Sequence, residues 1–190
     1  MNKPSGMITN GPQSLESALK LIFNDRNLKA VHRLDKDTSG CVILSKNQEI
    51  HEALISLFQK RNVVMLYHAI VQGSMRQREF SITQTIDDQT AESKVRRLDS
   101  NYLASHLLVS ISTGRTHQIR KHLQGIGHPV LGDSVYFKDK THIPDTVRPE
   151  RQMLHASKLM FRHPVTDVQV IAEAPLPPDF RRYLRALKLS

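Results

Sequence analysis

The sequence predicts a chain that mixes helices and strands outside a regular parallel α/β pattern, and three observations carry that expectation. Residues 63–72 are rich in β-branched and apolar side chains, and residues 103–112 alternate apolar with polar ones, as strands do. Leu15, Leu19 and Ile22, and again Ile50, Leu54, Leu57 and Phe58, recur instead at helical spacing. Residues 28–34 are mixed and basic where a regularly alternating parallel α/β chain would carry an apolar strand. At 190 residues the chain is long enough for one sizeable core and short for two, so one domain over residues 1–190 is expected.

Taken in order, Lys3-Pro4-Ser5-Gly6 is a turn signal. Ser14 is placed to cap the helix of Leu15, Leu19 and Ile22. The apolar run from Cys41 to Ser45 reads as a strand with Cys41 buried, and Asn47 caps a second helix that ends near Lys60 and Arg61, where cations suit the helix dipole. Val63 to Gln72, apolar on both faces, reads as a central strand. Residues 74–101 are polar, and their short alternating segments look like hairpins. Arg76, Arg78, Lys94, Arg96 and Arg97 there either track phosphates or form a solvated surface.

Residues 103–112 form a half-buried strand that delivers the chain to Gly114-Arg115. Thr116 then begins a helix carrying His117, Arg120, Lys121 and His122 and ending at Gly125. A strand end, a glycine turn and a basic helix start make an anion site plausible there. Residues 138–151 read as a loop, and strands are expected from Leu154 to Phe161 and from Val168 to Ala172. Pro177-Pro178-Asp179 introduces a last helix with Phe180, Tyr183, Leu184 and Leu187 inward and Arg181, Arg182, Arg185 and Lys188 outward.

Lys and Arg number 27 against 18 Asp and Glu, a formal charge of +9. A polyanion is the natural partner, and each single-stranded phosphate contacted adds about 0.7 to the salt slope of log affinity. The single cysteine forbids an intramolecular disulfide and points to a reducing, cytoplasmic home. No apolar run exceeds Val63 to Tyr67, so neither membrane insertion nor secretion is expected. His117 and His122 lack the spacing of a zinc-binding helix, and no tight His, Cys and carboxylate constellation appears, so neither metal nor cofactor is expected.

The chemistry concentrates in Val31-His32-Arg33-Leu34-Asp35-Lys36-Asp37-Thr38-Ser39-Gly40. His32, Arg33 and Lys36 put positive charge around Asp35, and Thr38-Ser39-Gly40 supplies small, turn-forming residues. Opposite charge favours the ionised acid, which suits a nucleophile or electrostatic stabiliser better than a general acid. On composition alone, a salt-bridged surface turn fits as well.

His32-Arg33-Leu34-Asp35 with Thr38-Ser39-Gly40 resembles the H-R-L-D-x-x-T-S-G signature of the RluA-type pseudouridine synthases, cofactor-free enzymes that isomerise uridine in RNA. Further blocks follow in that family's order. Asn2-Lys3-Pro4-Ser5-Gly6 is similar to its N-K-P-x-G, and Gly114-Arg115-Thr116-His117-Gln118-Ile119-Arg120 with His122-Leu123 to its G-R-T-H-Q-I-R-x-H-L. His128-Pro129 with Gly132-Asp133 and Tyr136 is similar to its H-P-x-x-G-D-x-x-Y, and Leu154-His155-Ala156 with Phe161-Arg162-His163-Pro164 to its L-H-A and F-x-H-P.

The resemblance implies an α+β chain with the pseudouridine synthase fold, its central sheet mixed and largely antiparallel and flanked by helices and loops. It implies a catalytic domain without the N-terminal S4-type RNA-binding domain that many relatives carry. It makes Asp35 the essential acid, sets Arg115 against that carboxylate, and gives Tyr67 a place beside the uracil, although the lysine usual two residues before that tyrosine is Met65 here. Leu154 would line the uracil pocket. Arg33 would fill the gap left by the extruded base or contact phosphate, and His32, Thr38, His117 and Arg120 would contact RNA. The reaction breaks the ribose C1′ to uracil N1 bond and rejoins C1′ to C5, which requires the base to leave its stack at a cost of a few kcal/mol. Ribosomal or transfer RNA is the expected partner, DNA is not, and a monomer is expected.

Two other readings are open on sequence. Asp35-Lys36-Asp37-Thr38 matches the D-x-D-x-T of magnesium-dependent phosphotransferases with an aspartate nucleophile, a motif that should follow an apolar strand. A non-catalytic RNA-binding protein fits the charge, but ten aromatics without a Trp make a poor stacking platform.

Overall fold

The computed structural model describes residues 1–137 and 148–190, so only 148–151 of the loop expected at 138–151 lie within it. In chain order the described elements are β1 (Asn2–Lys3), α1 (Leu15–Ile22), β2 (Lys29–Ala30), β3 (Ser39–Cys41), β4 (Leu44–Ser45), α2 (Gln48–Gln59), β5 (Val63–Gln72), β6 (Glu79–Ile86), β7 (Gln89–Ser100), β8 (Ala104–Ile111), α3 (Gln118–Gly125), β9 (Leu154–Arg162), β10 (Gln169–Glu173) and α4 (Pro178–Ala186). The pairings β1/β3, β2/β4, β6/β7, β7/β8 and β9/β10 are antiparallel, giving an α+β fold with a mixed, largely antiparallel sheet. Residues group into two compact units, Met1–Met65 with Ala156–Pro175 and Leu66–His155 with Leu176–Ser190.

In the first unit the strand order is β1-β3-β9, with β10 on β9 and β2-β4 as a separate pair. Ser14 caps α1 as expected: its Oγ accepts from Ser17 N at 3.1 Å while Ser17 Oγ accepts from Ser14 N at 2.8 Å. Leu15 and Leu19 are buried, but Ile22 is 73% exposed because it is the last residue of the helix. Asn47 caps α2 through Glu49 N and Ile50 N at 2.8 and 3.2 Å.

The strand expected from Cys41 to Ser45 is in fact two. Asn2 and Lys3 pair with Cys41 and Gly40, whereas Leu44 and Ser45 pair with Ala30 and Lys29, so the run changes partners midway. Gly40 has φ +122°, and a Cβ there would stand 2.1 Å from Ala156 O. Only glycine lets β3 lie against β9 at this point.

In the second unit the order is β5-β8-β7-β6. The segments expected as short hairpins form one long one, with register from Glu79↔Arg96 to Ile86↔Gln89. Asp87 and Asp88 close it at φ 51° and 59°, the two positive values that a two-residue type I′ turn requires. The helix expected from Thr116 starts at Gln118 instead. His117 occupies the N-cap in the left-handed region at φ 55° and caps nothing with its side chain. In α4, Phe180, Tyr183 and Leu184 join Ile70, Ala104, Leu131 and Met153 in one apolar core.

Candidate active site

Asp35 is half-buried in the turn between β2 and β3, and most of what holds that turn comes from the start of the chain. Thr9, itself buried, clamps Leu34 twice: its Oγ1 donates to Leu34 O and accepts from Leu34 N, both at 3.0 Å. Lys3 is fully buried, and its Nζ donates to Pro4 O, Met7 O and Lys36 O at 3.0, 2.7 and 3.0 Å. Gly6 N donates to Lys36 O and Ser5 Oγ to Asp37 O, each at 3.0 Å. Thr38 N closes the turn onto Asp35 O at 3.1 Å. The backbone on both sides of Asp35 is therefore fixed by partners from one segment. Lys3 read in sequence as part of a turn. That its ammonium would be the hub of the neighbouring loop had no signal beyond the family block.

Two residues expected to meet RNA are engaged within the fold. Thr38 is 2% exposed, inside the turn it closes. His32 stacks on Phe58 with ring centroids 4.9 Å apart, and its Nε2 accepts from Ile43 N at 3.1 Å. Burial, with the N-terminal ammonium adding to it, pushes the His32 pKa down to about 4. His32 is thus neutral at pH 7 and adds no positive charge around Asp35. Arg33 and Lys36 are exposed. The strand that immediately precedes the turn is the two-residue β2, Lys29–Ala30, which is not the apolar strand that the phosphotransferase reading needs.

In the second unit Tyr67 and Leu154 are buried, at 6% and 4% exposure, on β5 and β9. Arg115 lies in the turn before α3, and Gln118 organises that turn. Gln118 Oε1 accepts from Thr113 Oγ1 at 2.8 Å and Arg115 N at 3.1 Å, while its Nε2 donates to Glu92 O at 2.9 Å. Arg115 Nε is buried and meets no acceptor among the described residues. A buried donor without a partner is costly, which marks this edge of the guanidinium as one that fits an incoming anion.

Arg120, expected to contact RNA, does not face outward. It is 4% exposed and grips Asp133 with Nε to Oδ2 at 2.6 Å and Nη2 to Oδ1 at 2.8 Å. Asp133 Oδ1 also accepts from Val135 N and Tyr136 N at 2.9 and 3.0 Å, and the Arg120 guanidinium lies 5.1 Å from the Tyr136 ring centre. Burial draws the Asp133 pKa upward, but the Arg120 hydrogen bonds, the two N–H groups and the Arg120 charge together hold it below the usual value. His117 Nδ1 lies 3.1 Å from the Tyr136 hydroxyl, its ring edge-on to the phenol. Helical spacing put Arg120 on the basic helix, but only the fold reveals that its side chain is spent on Asp133.

Among the described residues, no group of three or more His, Cys, Asp or Glu is arranged to hold a metal, and no helix is long and apolar enough to cross a membrane.

Residues 1–125 match the family described as RNA pseudouridylate synthase. The chain is 33% identical to the uncharacterized RNA pseudouridine synthase YhcT of Bacillus subtilis, over 97% of this chain and 68% of that protein. It is 32% identical to the ribosomal large subunit pseudouridine synthase D of Pseudomonas aeruginosa, over 99% of this chain and 68% of that one. Among solved structures, human RNA pseudouridylate synthase domain containing 4 shares the fold at a TM-score of 0.81 and 23% identity, covering 100% of this chain and 89% of that one. The matched range takes in both the Asp35 turn and the Arg115 turn, and the chain belongs to the RNA pseudouridylate synthase family.

Proposed function

We propose that this RNA pseudouridine synthase isomerises uridine with Asp35 as its essential carboxylate and ribosomal RNA as its substrate. The braced turn is the observation that carries the reading: Thr9, Lys3, Ser5 and Gly6 hold the residues on both sides of Asp35, leaving little backbone freedom at a position where chemistry needs aim. Asp35 would act on the ribosyl or uracil carbon while the C1′ to N1 bond breaks and C1′ rejoins at C5, whose proton is released. Arg115, with a buried Nε that lacks an acceptor, would hold an anion at the reacting centre. Tyr67 would stack beside the uracil and Leu154 would form part of its apolar wall. Arg33, exposed on the Asp35 turn, would fill the space of the extruded base or contact phosphate. His117 would contact RNA from the turn that carries Arg115. Ribosomal RNA is favoured by the relatives named for the large subunit, such as that of Pseudomonas aeruginosa. Residues 1–190 would serve as one catalytic domain, acting as a monomer in the cytoplasm without a cofactor.

The test is tritium release from RNA labelled at uracil C5, with wild type and Asp35→Asn side by side. Wild type releases tritium and Asp35→Asn releases none, while its RNA affinity stays within about threefold, since the change removes one charge and no backbone contact. Normal turnover by Asp35→Asn would refute the assignment.

A further inference from the structure

The outer face of α4 carries more charge than the fold uses, although Arg182 reaches the Tyr183 hydroxyl at 3.5 Å with its guanidinium 5.1 Å from that ring's centre. Arg181, Arg182, Arg185 and Lys188 are all exposed, and none of them makes an ion pair among the described residues. The acid in the helix's first turn, Asp179, is committed to Arg151 through bonds of 2.6 and 3.1 Å. A helix dipole rewards cations in the last turn, which accounts for Arg185 but not for Arg181 and Arg182 near the N-terminal end, where a cation is unfavourable. Arg181 and Arg185 are moreover like charges four apart, an arrangement that weakens a helix. This charge sits against the helix's own electrostatics, so an external anion is its natural counterpart.

An aromatic ring stands beside it. Tyr102 is 82% exposed, unlike the core tyrosines Tyr67 and Tyr183. The turn that carries it is held in place: Asn101 Oδ1 accepts from Leu103 N and Ala104 N, at 2.9 and 3.1 Å, and its Nδ2 donates to Leu187 O at 2.6 Å. Tyr102 follows Asn101 and Lys188 follows Leu187, so that bond fixes the ring's turn beside the end of the basic helix.

We propose that Tyr102 and the outward cations of α4 form an RNA-binding surface for single-stranded nucleotides of the substrate. The cations would meet successive phosphates and the phenol would stack on a base, the pairing that single-stranded nucleic acid recognition uses. The proposal rests on the reading that the enzyme acts on RNA.

The probe is a fluorescein-labelled oligouridine 12-mer, followed by anisotropy across a potassium chloride series. The triple variant Arg181→Gln, Arg185→Gln, Lys188→Gln lowers affinity at least tenfold at low salt and reduces the log affinity against log salt slope by about 2, three contacts at roughly 0.7 each. Tyr102→Ala lowers affinity roughly tenfold with the slope unchanged. Arg181→Lys with Arg185→Lys keeps the slope. A control triple in the first unit, Arg26→Gln, Lys60→Gln, Arg61→Gln, removes the same charge and leaves the slope within about 0.5 of wild type. Equal losses in both triples would reduce the effect to net charge and overturn the proposal, as would a wild-type slope in the α4 triple. Circular dichroism melts confirm that each variant is folded. Tritium release separates the two readings. No release by wild type, with the slopes as expected, sinks the catalytic assignment and leaves the surface standing. Release with KM and slope untouched in the α4 triple sinks the surface alone.

Discussion

Replacing Arg120 by Ala should destabilise the protein severely while leaving its RNA affinity alone. The substitution strands the Asp133 carboxylate, whose side chain is 0% exposed, with the N–H groups of Val135 and Tyr136 still donating to it at 2.9 and 3.0 Å. Two charge-assisted hydrogen bonds disappear, each contributing about 1.5–3 kcal/mol, and measurements on broken buried pairs give about 3–5 kcal/mol overall. For a chain of 190 residues that is a fall in Tm of roughly 6–20 °C. The pH dependence carries a second signature. With Arg120 present Asp133 titrates below its usual range; without it the burial that draws its pKa upward is no longer outweighed. The folded variant then takes up a proton as pH falls, so its deficit relative to wild type shrinks on going from pH 7.5 to about pH 4.5. Urea melts followed by circular dichroism at both pH values measure this, with Arg120→Met/Asp133→Asn expected to recover most of the loss because no buried charge remains. A variant Arg120→Ala that is stable to within about 1 kcal/mol, but whose RNA salt slope drops by about 0.7, would mean that Arg120 contacts phosphate after all.

Two further outcomes follow from the first unit and from the buried histidines. Gly40→Ala would drive a Cβ to 2.1 Å from Ala156 O at φ +122°, so it should lower stability by at least about 3 kcal/mol or abolish soluble expression; a Tm within 2 °C of wild type, on the order of 1 kcal/mol, would contradict the close approach. Burial pushes His32 and His68 each down to about 4, with His106 and His155 adding to the effect on His68. Both are neutral in the folded protein and protonate more readily when it unfolds, so their contribution is full above about pH 6.5 and is lost as pH falls from there towards 4. The shift of about 2.5 from 6.5 bounds each contribution near 3.4 kcal/mol, and partial exposure reduces that to roughly 1–2 kcal/mol. The urea midpoint should therefore drop between pH 7 and pH 5, and histidine NMR titrations should find neither ring protonated above about pH 5; an unchanged midpoint with normal titration would show the rings to be open to water.

Local chemistry was legible where one residue does one local job. Ser14 and Asn47 were read as caps and are caps, and the inward residues of α4 are those that its helical period selects. What failed depended on partners far along the chain. An apolar run cannot announce that it will change partners, as Cys41 to Ser45 does, and an Asp-Asp pair is a weak hairpin signal beside Asn-Gly, so the long β6/β7 hairpin read as short pieces. The Asp35 turn was legible as a block, because its residue order is distinctive. That Arg120 would turn inward to Asp133, and that His32 would sit neutral against Phe58, was not legible, because the spacing of a basic residue says where it lies on an element and not what its side chain meets.

The segment from Lys3 to Thr9 and the turn from Leu34 to Asp37 share five hydrogen bonds through Lys3, Ser5, Gly6 and Thr9. Neither can open without breaking bonds to the other, so in amide exchange they should behave as one cooperative block. The N–H groups of Gly6 and Leu34, far apart along the chain, would then exchange with the same opening free energy. A change at the third residue of the chain would register as faster exchange around a carboxylate far along the sequence, so the mobility of Asp35 would be set by a buried lysine.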